Sequence, residues 1–276
     1  MKKLAVHIGI NQCDNSAYGM EIPELFVSEN DAIELNNISS NNEFESQLLL
    51  SEKATSSAIL DAIKSASKEL KEGDIFRLFY SGHGCQLPDL NSDEKDGFDE
   101  AWVCYDRPLL DDEIKLALSQ FSEGVNILII NDSCHSHGST EGKKHRVKSK
   151  KLLHPRNLSQ QIITQYLSDK KRLSALKRKA LSLSKKSPDL SAGILILSAC
   201  DEHEVAWESD NGHGLFTEQI IKMINQNQKV KKGEKPKRLT GSFLIKSAKD
   251  KLKGIQTPQL SKLGNISRSF LYSSLF

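Results

Sequence analysis

The chain has 276 residues, 38% of them hydrophobic, with 38 Lys or Arg against 36 Asp or Glu. That permits one large domain or two small ones and excludes a strongly basic or acidic protein overall. Five cysteines without paired spacing imply no disulfide framework and a reducing compartment. No apolar stretch approaches membrane-spanning length. The opening MKKLAVHIGI has a short apolar run broken by His7 and no cleavage site, so it does not read as a secretion signal. The expectation is a soluble, cytoplasmic monomer with no membrane contact.

Strand and helix patterns alternate along the first half. Residues 3–10 form an apolar run ending in Gly and Asn. Residues 28–38 have helical spacing, with Ser28 as a candidate N-cap, and 44–50 read as a strand. In 55–70, Ile59, Leu60, Ile63, Ala66 and Leu70 share one helical face, and Thr55 stands ahead as a cap. Residues 74–80 are a strand. Residues 111–121 are a short helix whose leading carboxylates suit its dipole. Residues 125–131 and 193–198 are further strands; 215–225 and 242–252 are helices. Such alternation predicts an α/β fold, a mostly parallel sheet with helices on both faces, in a single domain over 1–276.

Two segments break the pattern. Residues 89–113 carry ten carboxylates against Lys95 and Arg107, and read as an acidic loop. Residues 141–190 carry fifteen Lys or Arg against three acids, and read as a basic insert with helical spacing over 160–183. The insert has three readings: a solvated helix, a nucleic-acid contact, or a cleavable linker. Tyr166 is its only aromatic residue, which fits nucleic acid poorly.

The chemistry sits at two strand ends. DIFRLFYSGHG (residues 74–84) ends at His83, and VNILIINDSCH (residues 125–135) ends at Cys134. Buried parallel strands place their carboxyl ends on one sheet edge, which brings imidazole and thiol together. A thiol beside a histidine is a nucleophile with its base. Cys134 lies in a polar turn, whereas Cys13, Cys85, Cys104 and Cys200 read as small core residues. Gly82 and Gly84 permit a tight turn and close approach of a substrate backbone. A zinc site from Cys134, His135, His137 and His145 matches no structural zinc spacing.

YSGHG followed by DSCHS resembles the caspase-like cysteine proteases, most closely the metacaspases and their bacterial relatives. The resemblance runs through HIGIN (7–11), ENDA (29–32), EKAT (52–55), DGFDEA (96–101), LDDEI (110–114), LSAC (197–200), GHGLFT (212–217) and QTPQ (256–259). The QAC-x-G string of animal caspases is absent, although the His-to-Cys separation of about 50 residues fits them. On this reading no built-in adaptor prodomain is expected ahead of the first strand. The resemblance implies a cysteine endopeptidase with a His83–Cys134 dyad and an oxyanion held by the amides of Gly84 and Cys134. It implies an S1 pocket of Asp31, Ser81 and Asp132, with Ser28 nearby, that takes substrates with Arg or Lys at P1. It implies calcium ligands at Asp99, Asp111 and Asp112, with Glu141 the nearest fourth carboxylate. It also implies self-processing within 141–190, with Lys144, Arg146, Lys151, Arg172 and Arg178 as candidate cut sites. An EF-hand reading of 89–100 fails, because Glu94 stands where glycine is required. The rivals are a catalytically silent caspase-fold scaffold and a basic nucleic-acid-binding protein.

Overall fold

The computed structural model describes all residues except 91–95, 135–152, 184–188, 202–203, 210–211 and 231–234. In chain order the elements are β1 (Lys3–Gly9), α1 (Asn15–Tyr18), α2 (Ser28–Asn41), β2 (Glu45–Leu50), α3 (Ser56–Glu69), β3 (Ile75–Ser81) and β4 (Gly84–Pro88). There follow β5 (Phe98–Val103), β6 (Pro108–Leu110), α4 (Asp111–Leu118), β7 (Asn126–Asp132), β8 (Leu153–Pro155), α5 (Gln160–Ser168) and α6 (Lys170–Leu183). The chain finishes with β9 (Gly193–Ser198), β10 (Trp207–Ser209), α7 (Leu215–Gln228), α8 (Gly241–Leu252), β11 (Gln259–Gly264) and α9 (Arg268–Leu271).

The main sheet has the order β11-β9-β7-β3-β1-β2. Every neighbour is parallel except β11, which runs antiparallel to β9 at one edge. The central strands are apolar on both faces because helices cover both. Phe76, Leu78 and Tyr80 of β3, with Ile127 and Ile129 of β7, pack with residues of α3 and α4. Phe79, Leu128 and Ile130 point the other way, among residues of α2, α7 and α8. Each such side chain contributes roughly 1.5–3 kcal/mol by leaving water. Truncating Leu78 to Ala would cost about 2–5 kcal/mol.

The cap expected at Ser28 is displaced by one residue: Val27 is the N-cap of α2, and Ser28 opens its first turn. Thr55 does cap α3, accepting from the Ala58 amide at 3.2 Å. The helical stretch 160–183 divides at Asp169, whose Oδ1 accepts from the amides of Lys171 and Arg172 and so starts a second helix. The segment 89–113 is not simply an acidic loop. β5 and β6 lie within it and join β4 in a three-stranded antiparallel sheet. Charge counting hid the apolar residues between the acids: Ala101, Trp102, Val103, Leu109 and Leu110 are all buried. Part of the basic insert is likewise structured. β8 pairs antiparallel with β10, while Leu158, Ile163, Tyr166, Leu176, Ala180 and Leu183 bury against the small sheet.

Candidate active site

β3 and β7 are adjacent and in register, Ser81 opposite Asp132. His83 and Cys134 each lie two residues beyond that pair, at the same end of neighbouring strands. The turn carrying His83 is tight. Tyr80 donates its hydroxyl to the His83 carbonyl at 2.7 Å. A Cβ at Gly82 would stand 2.7 Å from that same hydroxyl, so glycine is required there.

The His83 ring is buried, and burial lowers its pKa to about 4, so it is neutral near pH 7. Its Nε2 lies 2.8 Å from the Pro23 carbonyl, which can only accept, so Nε2 carries the proton. Nδ1 is then the basic nitrogen, and it has no hydrogen-bond partner among the described residues. The loop after α1 thus orients the imidazole, a role no side-chain motif announces. Cys134 is buried, and its thiol donates to the carbonyl of Glu204. Glu204 is itself held by Thr257, whose amide and hydroxyl donate to its carboxylate at 2.6 and 2.8 Å.

Asp31, Ser81 and Asp132 converge as expected, and all three are fully buried. What the sequence did not reveal is their occupant. Arg156, just after β8, enters the pocket with no exposed surface. Its Nη2 lies 2.8 Å from Asp31 Oδ2 and 3.4 Å from Glu208 Oε2. Its Nη1 donates to Ser81 Oγ at 2.8 Å and to the Asp132 carbonyl at 2.9 Å, and lies 3.2 Å from Asp132 Oδ2. Burial works against this guanidinium, but Asp132, Asp31 and Glu208 outweigh it and raise its pKa. Burial raises the pKa of Asp132; Arg156 opposes the rise and Asp31 adds to it. Thr217 steadies the same carboxylate, its hydroxyl donating at 2.6 Å. Gly214 closes the pocket wall, and a Cβ there would stand 2.5 Å from Asp132 Oδ2 and 2.6 Å from Arg156 Nη1.

The backbone around Arg156 is equally specified. Its amide donates to the Ala206 carbonyl at 2.9 Å, extending the β8–β10 ladder. Its carbonyl accepts from the Gly84 amide at 2.9 Å, and its backbone lies beside the His83 ring. Gly84 is the expected oxyanion donor. Leu153–Pro155 are extended as β8, and the chain bends at Arg156, which these contacts hold in place. Gln256 of the QTPQ segment braces the floor, donating to the Ala199 carbonyl at 2.8 Å and accepting from the Trp207 amide at 3.3 Å. Glu208 and His213 completed the pocket without being foreseen. His213 Nδ1 lies 3.0 Å from Asp31 Oδ1. The WES and GHG strings carry no distinctive signal for either role.

Asp99 lies on β5, and Asp111 and Asp112 open α4. The Asp111 carboxyl keeps solvent contact but is crowded. Desolvation, then Asp112, Glu100 and Asp99, push its pKa up to about 8. Among the described residues no group of three or more His, Cys, Asp or Glu is close enough to hold a metal ion. Glu141, and the zinc candidates His135, His137 and His145, lie outside the described residues, as do Lys144, Arg146 and Lys151. Arg172 and Arg178 lie within α6. Among the described residues no helix is long and apolar enough to cross a membrane.

Imidazole and thiol at adjacent strand ends of a sheet with this topology define the caspase-like class of α/β fold. The family model for the caspase domain matches residues 2–265, and the chain belongs to that family. Among curated proteins it is similar to Metacaspase-7 of Arabidopsis thaliana, 38% identical over 95 residues, covering 34% of this chain and 24% of that protein. It is also similar to Metacaspase-1 of Plasmodium falciparum (isolate 3D7), 36% identical over 105 residues, covering 36% of this chain and 17% of that one. The match thus spans a quarter or less of these relatives' length. The crystal structure of protein GSU0716 from Geobacter sulfurreducens superposes with a TM-score of 0.84 at 30% identity, covering 100% of this chain and 98% of that one.

Proposed function

We propose that this chain is a cysteine endopeptidase that cuts after arginine or lysine and processes itself at the Arg156–Asn157 bond. One observation carries the reading: Arg156 has its guanidinium among three carboxylates while its carbonyl sits on the Gly84 amide. An arginine with only a structural role needs the first contact but not the second.

The chemistry follows from these groups. The Cys134 thiol swings from the Glu204 carbonyl towards His83, and Nδ1 takes its proton. The thiolate attacks the Arg156 carbonyl carbon, and the oxygen takes the negative charge against the Gly84 and Cys134 amides. The C–N bond breaks, and the Asn157 nitrogen leaves with the proton from His83. Water, deprotonated by His83, then releases the Arg156 carboxylate from the thioester. A positioned general base supplies roughly 10²–10⁴-fold, and one oxyanion donor about 10²–10³-fold.

The pocket favours arginine over lysine at P1. Its acceptors lie on two sides of a planar fork, and a single ammonium reaches fewer of them. All of these groups come from one chain, so the proposed active form is a monomer. The unpaired cysteines suit a reducing, cytoplasmic setting. Calcium stimulation through Asp99, Asp111 and Asp112 rests on the crowding at Asp111, which a cation would relieve. The carboxylates form no ready cage, so an ion would have to draw them closer. A caspase-fold scaffold would keep Arg156 uncut and hydrolyse nothing.

A fluorogenic panel with Arg, Lys or Asp at P1, with and without Ca²⁺, tests the reading. Turnover of Arg and Lys peptides that is absent in Cys134→Ala supports it. A preference for Asp at P1, or no turnover of any peptide, overturns it.

A further inference from the structure

Cys134 has a second thiol beside it that the proposed hydrolysis does not use. β7 and β9 are parallel neighbours, with Asn131 opposite Ser198 and Ala199 bonded to the Asn131 carbonyl at 2.9 Å. Cys134 and Cys200 follow those strands by nearly equal steps, and neighbouring strands run about 4.8 Å apart. That spacing lies in the range a disulfide spans between α-carbons. The side chains turn towards each other: both thiols donate to the one carbonyl oxygen of Glu204, Cys200 at 3.5 Å. Cys200 also approaches the Ser133 carbonyl at 3.8 Å, so it leans over the nucleophile turn. Cys200 and Ser133 line a cavity of about 570 Å³ that opens to solvent between α4 and β11. Cys13, Cys85 and Cys104 have no such relation to Cys134 and belong to other packing clusters.

We propose that Cys134 and Cys200 form a reversible disulfide when a peroxide reaches the site through this cavity, switching the nucleophile off. His83 takes the Cys134 proton, the thiolate attacks one peroxide oxygen, the O–O bond breaks, and the departing hydroxide takes that proton from His83 and leaves as water, giving a sulfenic acid. Cys200 then attacks that sulfur. Its thiol proton goes to the departing hydroxide, which leaves as the second water. The cysteines lose two electrons in all, and the peroxide gains them. The hydrogen bond with Cys134, and then burial, raise the Cys200 pKa, which suits a resolving thiol that acts second. Trapping as a disulfide protects Cys134 from sulfinic and sulfonic acid, which reduction does not reverse.

The inference rests on Cys134 being the nucleophile, but its test does not need turnover. The full chain is treated with hydrogen peroxide, free thiols are alkylated, and unreduced peptides are mapped by mass spectrometry. The expected result is one linked pair, Cys134 to Cys200, which dithiothreitol reopens. In Cys200→Ser the link is absent, Cys134 accumulates as sulfinic or sulfonic acid, and peptidase activity fails to return after reduction. Wild type should recover at least tenfold. A linked pair in a protein that cleaves no peptide would sink the peptidase reading and leave this one standing. Irreversible oxidation of Cys134 at equal rates in wild type and Cys200→Ser, or a link through Cys13, Cys85 or Cys104, would overturn it.

Discussion

Arg156 Nη2 stands 2.8 Å from Asp31 Oδ2, and neither side chain reaches solvent. The two residues are 125 positions apart in the chain. A buried charge pair is costly to create and costlier to break, because removing one partner strands the other. Evolution has other ways to fill a pocket. A guanidinium held by Asp31, Asp132 and Glu208, with its own carbonyl on the Gly84 amide, is an arrangement that suits cleavage.

Cys134→Ala should abolish hydrolysis of Arg peptides, and His83→Ala should lower kcat by about 10²–10⁴. Both variants should melt within a few degrees of wild type, since neither leaves a buried charge unpaired. Steady-state kinetics beside a thermal melt checks this. Wild-type turnover in Cys134→Ala would remove the dyad.

Purified wild type should split into two fragments that stay associated, because β9 and β11 remain in the sheet. N-terminal sequencing of the smaller one should begin Asn157-Leu158. Arg156→Gln should remain whole at that bond, and Cys134→Ala should remain whole everywhere. Arg156→Met should lower stability by about 3–5 kcal/mol, as expected when buried carboxylates lose their cation. A first cut within α6 would place the processing site elsewhere.

Asp132→Asn and Glu208→Gln should each reduce kcat/KM for Arg peptides. The loss at Asp132 should be the larger, about 10²–10³-fold, because its carboxylate lies 3.2 Å from the guanidinium against 3.4 Å for Glu208. Glu208→Gln should narrow the preference for Arg over Lys. A P1 profile unchanged by both variants contradicts the pocket assignment.

The hydrogen bond to Asp31 raises the pKa of His213 above its ordinary value of 6.5. Below that raised pKa, His213 is cationic and shares Asp31 with an incoming P1 side chain. As pH rises through it, the imidazole loses its proton and Asp31 serves the substrate alone. KM for Arg peptides should therefore fall across that range in wild type and stay flat in His213→Gln. The stability from the His213–Asp31 pair runs the opposite way, complete below pH 6.5 and lost above the raised pKa. A KM profile that is identical in both proteins would exclude His213.

Asp111, lifted to about 8, is a carboxyl that folding prefers protonated. Without calcium the melting temperature should drop as pH rises from 6 to 9, and Asp111→Asn should flatten that slope. Because ion and proton compete for the same oxygens, Ca²⁺ affinity by calorimetry should strengthen as pH rises through 8. Absence of binding at millimolar Ca²⁺ and pH 9 would leave Asp111 and Asp112 as helix-start carboxylates only.

Much of this molecule was determined by local pattern. The apolar runs ending at Ser81 and Asp132 specify buried parallel strands, and strands of that kind put His83 and Cys134 at one edge. Asp31 and Ser81 were legible through short motifs, and Thr55 as a cap through its chemistry. What only the tertiary structure decided is what comes from far along the chain to meet them. Pro23 serves through its backbone carbonyl, and carbonyls leave no mark in a sequence. Arg156 is one of fifteen basic residues in its segment, and nothing local sets it apart from Arg172 or Arg178. It is singled out because the β8–β10 pairing delivers it to the carboxylates. Glu208 and His213 enter the pocket by the same long-range packing, and Cys200 meets Cys134 because β9 lies beside β7. Backbone periodicity is encoded residue by residue, whereas charge pairing depends on distances that exist only after the chain has folded.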